Sequence, residues 1–262
     1  MTWSPETVSE ALGYPLGRHY EHAPINEAAF DIRVQLPVSV TVDQLREVGQ
    51  GEEDYPTDEP LFAIANRLSF NPQQFSSDVQ QIAMGFRWTS TDGLHVLQAS
   101  LDGFTFSRLR PYRDWAAFSA EAFRLWDRYK AIASPTTISR LALRYVNQID
   151  VPSTLRLDLD AYLRTRLELS ELLPQTLDGF FSTIQMALQD AGPRLNLIQT
   201  AVTPSPNEIG LVLDIDVFWE DALDASDAEI ENVLRQRFGL LRDSKNAVFE
   251  ACITAQTREL FK

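Results

Sequence analysis

The sequence predicts an α+β fold, antiparallel sheet with long helices packed on one face, in two similar halves of three strands and a helix. Three observations carry that expectation. Runs with apolar residues at every second position, as at 30–36, 79–88 and 138–149, have the period of a half-buried strand. Two other stretches space their apolar residues by three and four, the period of a helical stripe. They are Trp115, Phe118, Ala122, Leu125, Tyr129 and Ile132, then Ile230, Val233, Leu234, Phe238 and Leu241. Strands come in groups before each helix, which argues for α+β rather than an alternating βα layout.

In chain order, residues 1–23 contain Pro5, Pro15 and Gly17 and read as a polar, irregular arm. A strand at 30–36 ends at Pro37, and 41–48 allow a short helix. Residues 51–60, acidic and holding Pro56 and Pro60, read as a solvated loop without the ligand pattern of an EF-hand. A meander follows: 79–88, in which Ile82, Met84, Phe86 and Trp88 share a face, then 94–101 and 104–109, joined by turns at Asp92-Gly93 and Asp102-Gly103. Asp114 reads as the N-cap of the first long helix, which Pro135 closes. In the strand at 138–149, Leu141, Leu143, Tyr145, Asn147 and Ile149 share one face, and Arg140, Ala142, Arg144 and Val146 the other.

The second half reads as a helix at about 159–172, strands at 180–188, 194–202 and 209–219, and a long helical region from Ser226. Ser226-Asp227-Ala228-Glu229 has the form of a capping box, Gly239 of a bend, and 246–253 of a last helix running toward Phe261. The organisation expected is an arm, 1–23, and one unit, 24–262, with pseudo-repeat halves 24–150 and 151–262.

Composition narrows the function classes. The 262 residues include 37 acidic and 23 basic side chains, for a net charge of −14. A field of that sign repels nucleic-acid phosphates and anionic membranes, although Arg108, Arg110 and Arg113 form a local basic patch. The single cysteine, Cys252, excludes a disulfide within the chain. No stretch approaches the roughly 18 apolar residues of a membrane span, and the start lacks the pattern of a secretory leader. The expectation is a cytoplasmic protein with no membrane and no nucleic-acid partner.

Four segments form an ordered set: Pro24-Ile25-Asn26-Glu27-Ala28, the helix entry Tyr112…Trp115…Phe118, Arg140-x-x-x-Arg144-Tyr145-Val146-Asn147, and Lys245-Asn246-x-Val248-Phe249-Glu250…Ile253-Thr254. Their order and spacing resemble a sporadically distributed family of uncharacterised bacterial and archaeal proteins of about this length. The resemblance would cover nearly the whole chain from residue 23. It implies a single family unit and no particular activity; the patchy distribution hints at defence-associated genes.

Chemistry is sparse. There is no Gly-x-Ser-x-Gly elbow, P-loop, Gly-x-Gly-x-x-Gly or Cys-x-x-Cys, so neither a cofactor nor a catalytic residue is expected. Cys252, between Ala251 and Ile253, reads as a buried inert thiol. His19 and His22, three apart, and Asp214 and Asp216, on one strand face, are weak metal candidates. Arg140 and Arg144 are the best binding candidates: two guanidiniums on one face suit an anionic ligand or a partner's carboxylate, or pair internally with Glu27, Asp31 or Asp214. Asn147 on the apolar parity needs hydrogen-bond partners. Trp88 and Trp219 are candidates for lining a pocket beside these arginines.

The function expected is a non-catalytic binding module acting through a protein partner. The alternative is an anionic small-molecule binder with a pocket between sheet and helices near Trp88, Arg140, Arg144 and Trp219. A metal-dependent hydrolase built on His19, His22 and an acidic cluster ranks third.

Overall fold

β1 (Ile25–Gln35) and β6 (Thr137–Pro152) pair antiparallel at the middle of a nine-stranded sheet. Beyond β1 come β5 (Gly103–Leu109), β4 (His95–Ser100), β3 (Gln74–Thr89) and β2 (Thr57–Asn71). Beyond β6 come β9 (Glu208–Asp224), β8 (Arg194–Ser205) and β7 (Phe181–Ala187). Every pairing is antiparallel. The helices are α1 (Pro5–Leu12), α2 (Val42–Leu45), α3 (Trp115–Ala133), α4 (Ile230–Cys252) and α5 (Ala255–Glu259). This computed structural model describes residues 3–71, 74–152, 158–165, 169–174, 179–190, 192–205 and 208–262, without the side chains of 64–80 and 204–205.

The strand alternation sorts residues as the sequence reading expects. Along β1, Ala28, Phe30, Ile32 and Val34 are buried, while Asp31 and Arg33 between them carry charge. The Phe30 ring meets both long helices, stacking on Phe238 of α4 at 3.7 Å and standing edge-on to Phe123 of α3 at 5.1 Å. α3 starts where Asp114 accepts the Ala117 N–H at 2.8 Å and stops at Ser134, whose φ of 46° is left-handed, just before Pro135. Among the described residues no helix is long and apolar enough to cross a membrane.

Several expectations need correction. The arm is not irregular throughout: α1 forms because Ser4 accepts the Thr7 N–H at 3.2 Å while Thr7 Oγ1 accepts the Ser4 N–H at 3.0 Å. Pro5 occupies the first turn and Gly13 ends the helix at φ 75°. The expected loop at 51–60 gives way to β2 at Thr57, and β2 pairs with β3 from Thr57↔Thr89 to Asn71↔Gln74, with one register shift between Leu61 and Phe62. The shared face of β3 is buried only at one end: Phe86 and Trp88 are inside, whereas Ile82 is 49% exposed. Trp88 packs on Gly49, where a Cβ would lie 2.2 Å from its indole, so only glycine fits there.

The helix expected at 159–172 is a short 3₁₀ turn, Leu159–Ala161, over its described start, and Leu163 forms a β-bridge with Ile253. Tertiary hydrogen bonds displace the helix: Arg164 N–H donates to Cys252 O at 2.8 Å and Thr254 N–H to Tyr162 O at 3.1 Å. Residues 166–168 of that expectation lie outside the described residues. The Ser226 capping box is absent. Ser226 bonds to Asp224, Asp227 accepts the Glu229 N–H at 2.9 Å, and α4 begins at Ile230. α4 runs through Gly239 without a break and ends at Cys252; Thr254 then caps α5 separately.

Candidate functional site

A cavity of about 190 Å³ opens where four parts of the chain converge: the segment leading into β1, the loop entering α3, two residues of β6, and the second half of α4. β6 contributes Tyr145 and Asn147, two apart and therefore on one strand face. Asn147 is 2% exposed, and its Nδ2 donates to Tyr145 O at 3.2 Å and to Leu213 O of β9 at 3.0 Å. That meets the requirement of an amide on the apolar face. The Tyr145 hydroxyl lies 3.1 Å from that of Tyr112, in the loop before α3. Burial pushes Tyr112 up to about 12, so its hydroxyl keeps its proton at neutral pH.

α4 presents Arg242, Lys245, Asn246 and Phe249 at three- and four-residue steps, the spacing of one helix face. Lys245 Nζ donates to Asn246 Oδ1 at 2.6 Å and sits 3.9 Å from the centre of the Tyr145 ring. The side chain is half-buried, facing the cavity from a wall of protein. Burial first, and the Arg242 guanidinium second, bring its ammonium down to about 7.

The segment before β1 is tied to α4 through Glu250, which is 2% exposed. Glu250 accepts hydrogen bonds from the Tyr14 hydroxyl at 3.0 Å and the Tyr20 hydroxyl at 2.7 Å, and lies 3.5 Å from Arg258. Tyr20 also stands edge-on to Phe249 and Phe261. Arg18 and Arg113 bring the cations around the cavity to four with Arg242 and Lys245. Among the described residues none of the four makes an ion pair. The acids in the wall are engaged elsewhere, Asp114 as the α3 cap and Glu250 with its tyrosines.

The binding candidates from sequence fall apart spatially. Only Asn147 reaches the cavity. Arg140 and Arg144 point to the other face of β6, into a polar ladder across five strands. Arg140 bonds Asp216 at 2.8 Å and Asp31 at 3.3 Å; Arg144 bonds Asp214 at 2.6 Å. Asp31 also holds Arg33 and accepts from Thr105 Oγ1 at 2.7 Å, and Asn196 reaches Asp216 at 3.4 Å. Burial raises the Asp216 carboxyl and Arg140 opposes that rise.

Trp88 lies with Arg46 and Gly49 around a separate hollow, and Trp219 sits under Arg237 at 4.6 Å. The expected pocket joining Trp88, Arg140, Arg144 and Trp219 is therefore not formed: the arginines occupy one face of the sheet, and the two tryptophans sit on strands five places apart. His19 touches the cavity, whereas His22 is fixed by its backbone N–H to Phe261 O at 3.0 Å. Among the described residues no three His, Cys, Asp or Glu side chains are placed to hold a metal ion. Cys252 is buried, and burial raises its thiol to about 11.

Sequence reasoning passed over Lys245, Arg242 and Tyr112 as functional residues. One signal was available: Lys130, Lys245 and Lys262 are the chain's lysines, and every other strongly basic side chain is arginine. Compared with protein-family models, curated proteins and solved structures, the chain matches none, so the cavity's own chemistry carries the functional argument.

Proposed function

We propose that the protein binds a small anionic ligand in the cavity between α4 and β6. One observation carries the reading: in a chain of net charge −14, four cations surround one cavity and, among the described residues, none makes an ion pair. Buried cations normally meet a carboxylate, and for the partly buried Lys245 and Arg242 a ligand's anion takes that place. Lys245 and Arg242 bind its charge, Asn246 and Tyr112 offer polar contacts, and Trp115 and Phe249 cover its carbon skeleton. At about 190 Å³ the cavity suits a molecule below drug size.

The family resemblance belongs to this proposal, because the segments that carry it supply Ile25, Tyr112, Trp115, Tyr145, Asn147, Lys245 and Glu250 to the cavity wall. So do the two-halves reading and the covering of one sheet face by long helices. Phe30 touches both α3 and α4, and the strand order runs outward from the β1–β6 pair through strands of each half. The test is thermal unfolding with a panel of small carboxylates and phosphates. A ligand at a hundred times its Kd adds about 2.7 kcal/mol, and the gain disappears in the Arg242→Met, Lys245→Met double variant. A panel with no stabilising anion, or equal stabilisation of the double variant, sinks the reading.

The protein-partner reading has its own support at the sheet edge. β7 ends the sheet with the sequence Phe-Ser-Thr-Ile-Gln-Met-Ala, free of charge and proline, and Phe181 is 71% exposed. Native edges are usually guarded by charge or proline, and an unguarded one suits strand addition by a partner. Thr183→Lys would then abolish partner capture while leaving anion binding intact.

A further inference from the structure

We infer that Lys245 is a nucleophile that forms an imine with a short oxo acid held in this cavity. The inference rests on the ligand reading above and names the ligand's class. Its first ground is residue choice. Lysine stands at a cavity-lining position over the Tyr145 ring in a chain that otherwise uses arginine almost throughout. A guanidinium cannot give up its proton in a protein, and an amine can. An anion site alone is served as well or better by arginine, which binds carboxylates bidentately.

The second ground is placement. Lys245 lines the cavity with no carboxylate in ion-pair range of Nζ among the described residues, and Asn246 Oδ1 takes one of its N–H bonds. Arg242 lies one turn earlier on the same helix and both favours the neutral amine and offers a seat for the acid's carboxylate. The amine, brought down to about 7, is available as a nucleophile near neutral pH. The third ground is a proton source: Tyr112 lines the same cavity, and its hydroxyl lies 3.1 Å from that of Tyr145 and remains protonated.

The step balances without any added reagent. The Nζ lone pair attacks the carbonyl carbon; a C–N bond forms as the C=O π pair moves to oxygen, which Tyr112 protonates. One Nζ proton restores Tyr112, which then protonates the carbinolamine hydroxyl so that it leaves as water while the nitrogen lone pair closes the C=N bond, and the second Nζ proton restores Tyr112 again. Both hydrogens of the water come, overall, from the amine.

The test uses the full chain with pyruvate or glyoxylate as probe and cyanoborohydride to reduce any imine, followed by intact mass measurement and peptide mapping. The expected result is one adduct, the oxo acid less one oxygen, on Lys245 and not on Lys130 or Lys262, with a rate that falls as the pH drops below about 7. Lys245→Arg loses the adduct, whereas Lys130→Arg, outside the cavity wall, keeps it. Tyr112→Phe folds with its ring retained and slows trapping at least about tenfold. Absence of the adduct, or labelling spread evenly over the three lysines, overturns the inference. Thermal unfolding of the same samples separates the two readings. Stabilisation without an adduct removes the imine and leaves the anion site, while neither signal removes both.

Discussion

On one face of β6, Arg140 and Arg144 meet Asp31, Asp214 and Asp216 at hydrogen-bonding distance, and the ladder continues to Arg33, Thr105 and Asn196. On the other side, across Tyr145, Lys245 and Arg242 line a cavity and, among the described residues, pair with no carboxylate. Both sets are partly desolvated, so both carry the cost of removing charge from water. The ladder offsets that cost with neighbours folded from the same chain. The cavity leaves it standing, in a protein with acids to spare. Charges that are settled internally report on folding, and charges left unsettled beside empty space report on binding. The sequence singled out the first set because two arginines on one strand face are conspicuous, and conspicuousness did not distinguish the two cases.

The largest effect expected is on neither set but on the core that fixes both. Phe30 is fully buried between Phe123 and Phe238 and holds β1 against α3 and α4. Phe30→Ala should cost about 4 kcal/mol in denaturant unfolding. A loss under about 1 kcal/mol would mean that the two helices do not depend on this ring for their seat on β1. Next, Asp31→Ala removes the carboxylate shared by Arg33, Arg140 and Thr105. It should cost about 2–3 kcal/mol, less than a fully buried pair because Arg33 is 40% exposed and rehydrates. Asp31→Ala should leave anion binding at the cavity unchanged. If binding fell with it, the two faces of β6 would not be independent.

How much of this was legible depended on whether the deciding interaction was local. The hairpin at Asp102-Gly103, the Asp114 cap and the parity of Tyr145 and Asn147 are set by neighbours in sequence, and the structure has them where periodicity put them. The pairing of Arg140 and Arg144 with Asp31 and Asp214 was among the partners foreseen, since strand parity put the arginines on a polar face. The helix expected at 159–172 failed because residues 162–164 bond to the end of α4, ninety residues on, and no local pattern announces that. β2 was hidden by acids and prolines at its start, which local composition assigns to a loop. α1 is set by local signals, the Ser4-Pro5 start and the Gly13 stop, which stand inside an otherwise polar segment. The cavity needed four separate segments brought together, so only its pieces were visible.

The smallest effect expected is the one that separates the two cation sets by sign. Removing a ladder cation should destabilise the fold, whereas Lys245→Met should stabilise it, because it deletes a desolvated amine that lacks a carboxylate and leaves the apolar stem packed. Lys245 titrates at about 7 in the folded protein against an ordinary 10.5. Between those values the unfolded chain binds the extra proton, so wild-type stability rises with pH across that window and carries its full penalty below it. The advantage of Lys245→Met should therefore be greatest below pH 7, at about 1–2 kcal/mol once partial access to water is allowed for, and should shrink steadily toward pH 10. Tyr20, Tyr112 and Tyr145, whose hydroxyls burial raises, contribute at the alkaline end of both curves and cancel in the difference. Denaturant unfolding of the two proteins at pH 6, 8 and 9.5 gives that difference directly. A gain that does not vary with pH would assign the effect to packing. A loss at every pH would place Lys245 with Arg140 and Arg144, as a cation the fold itself requires.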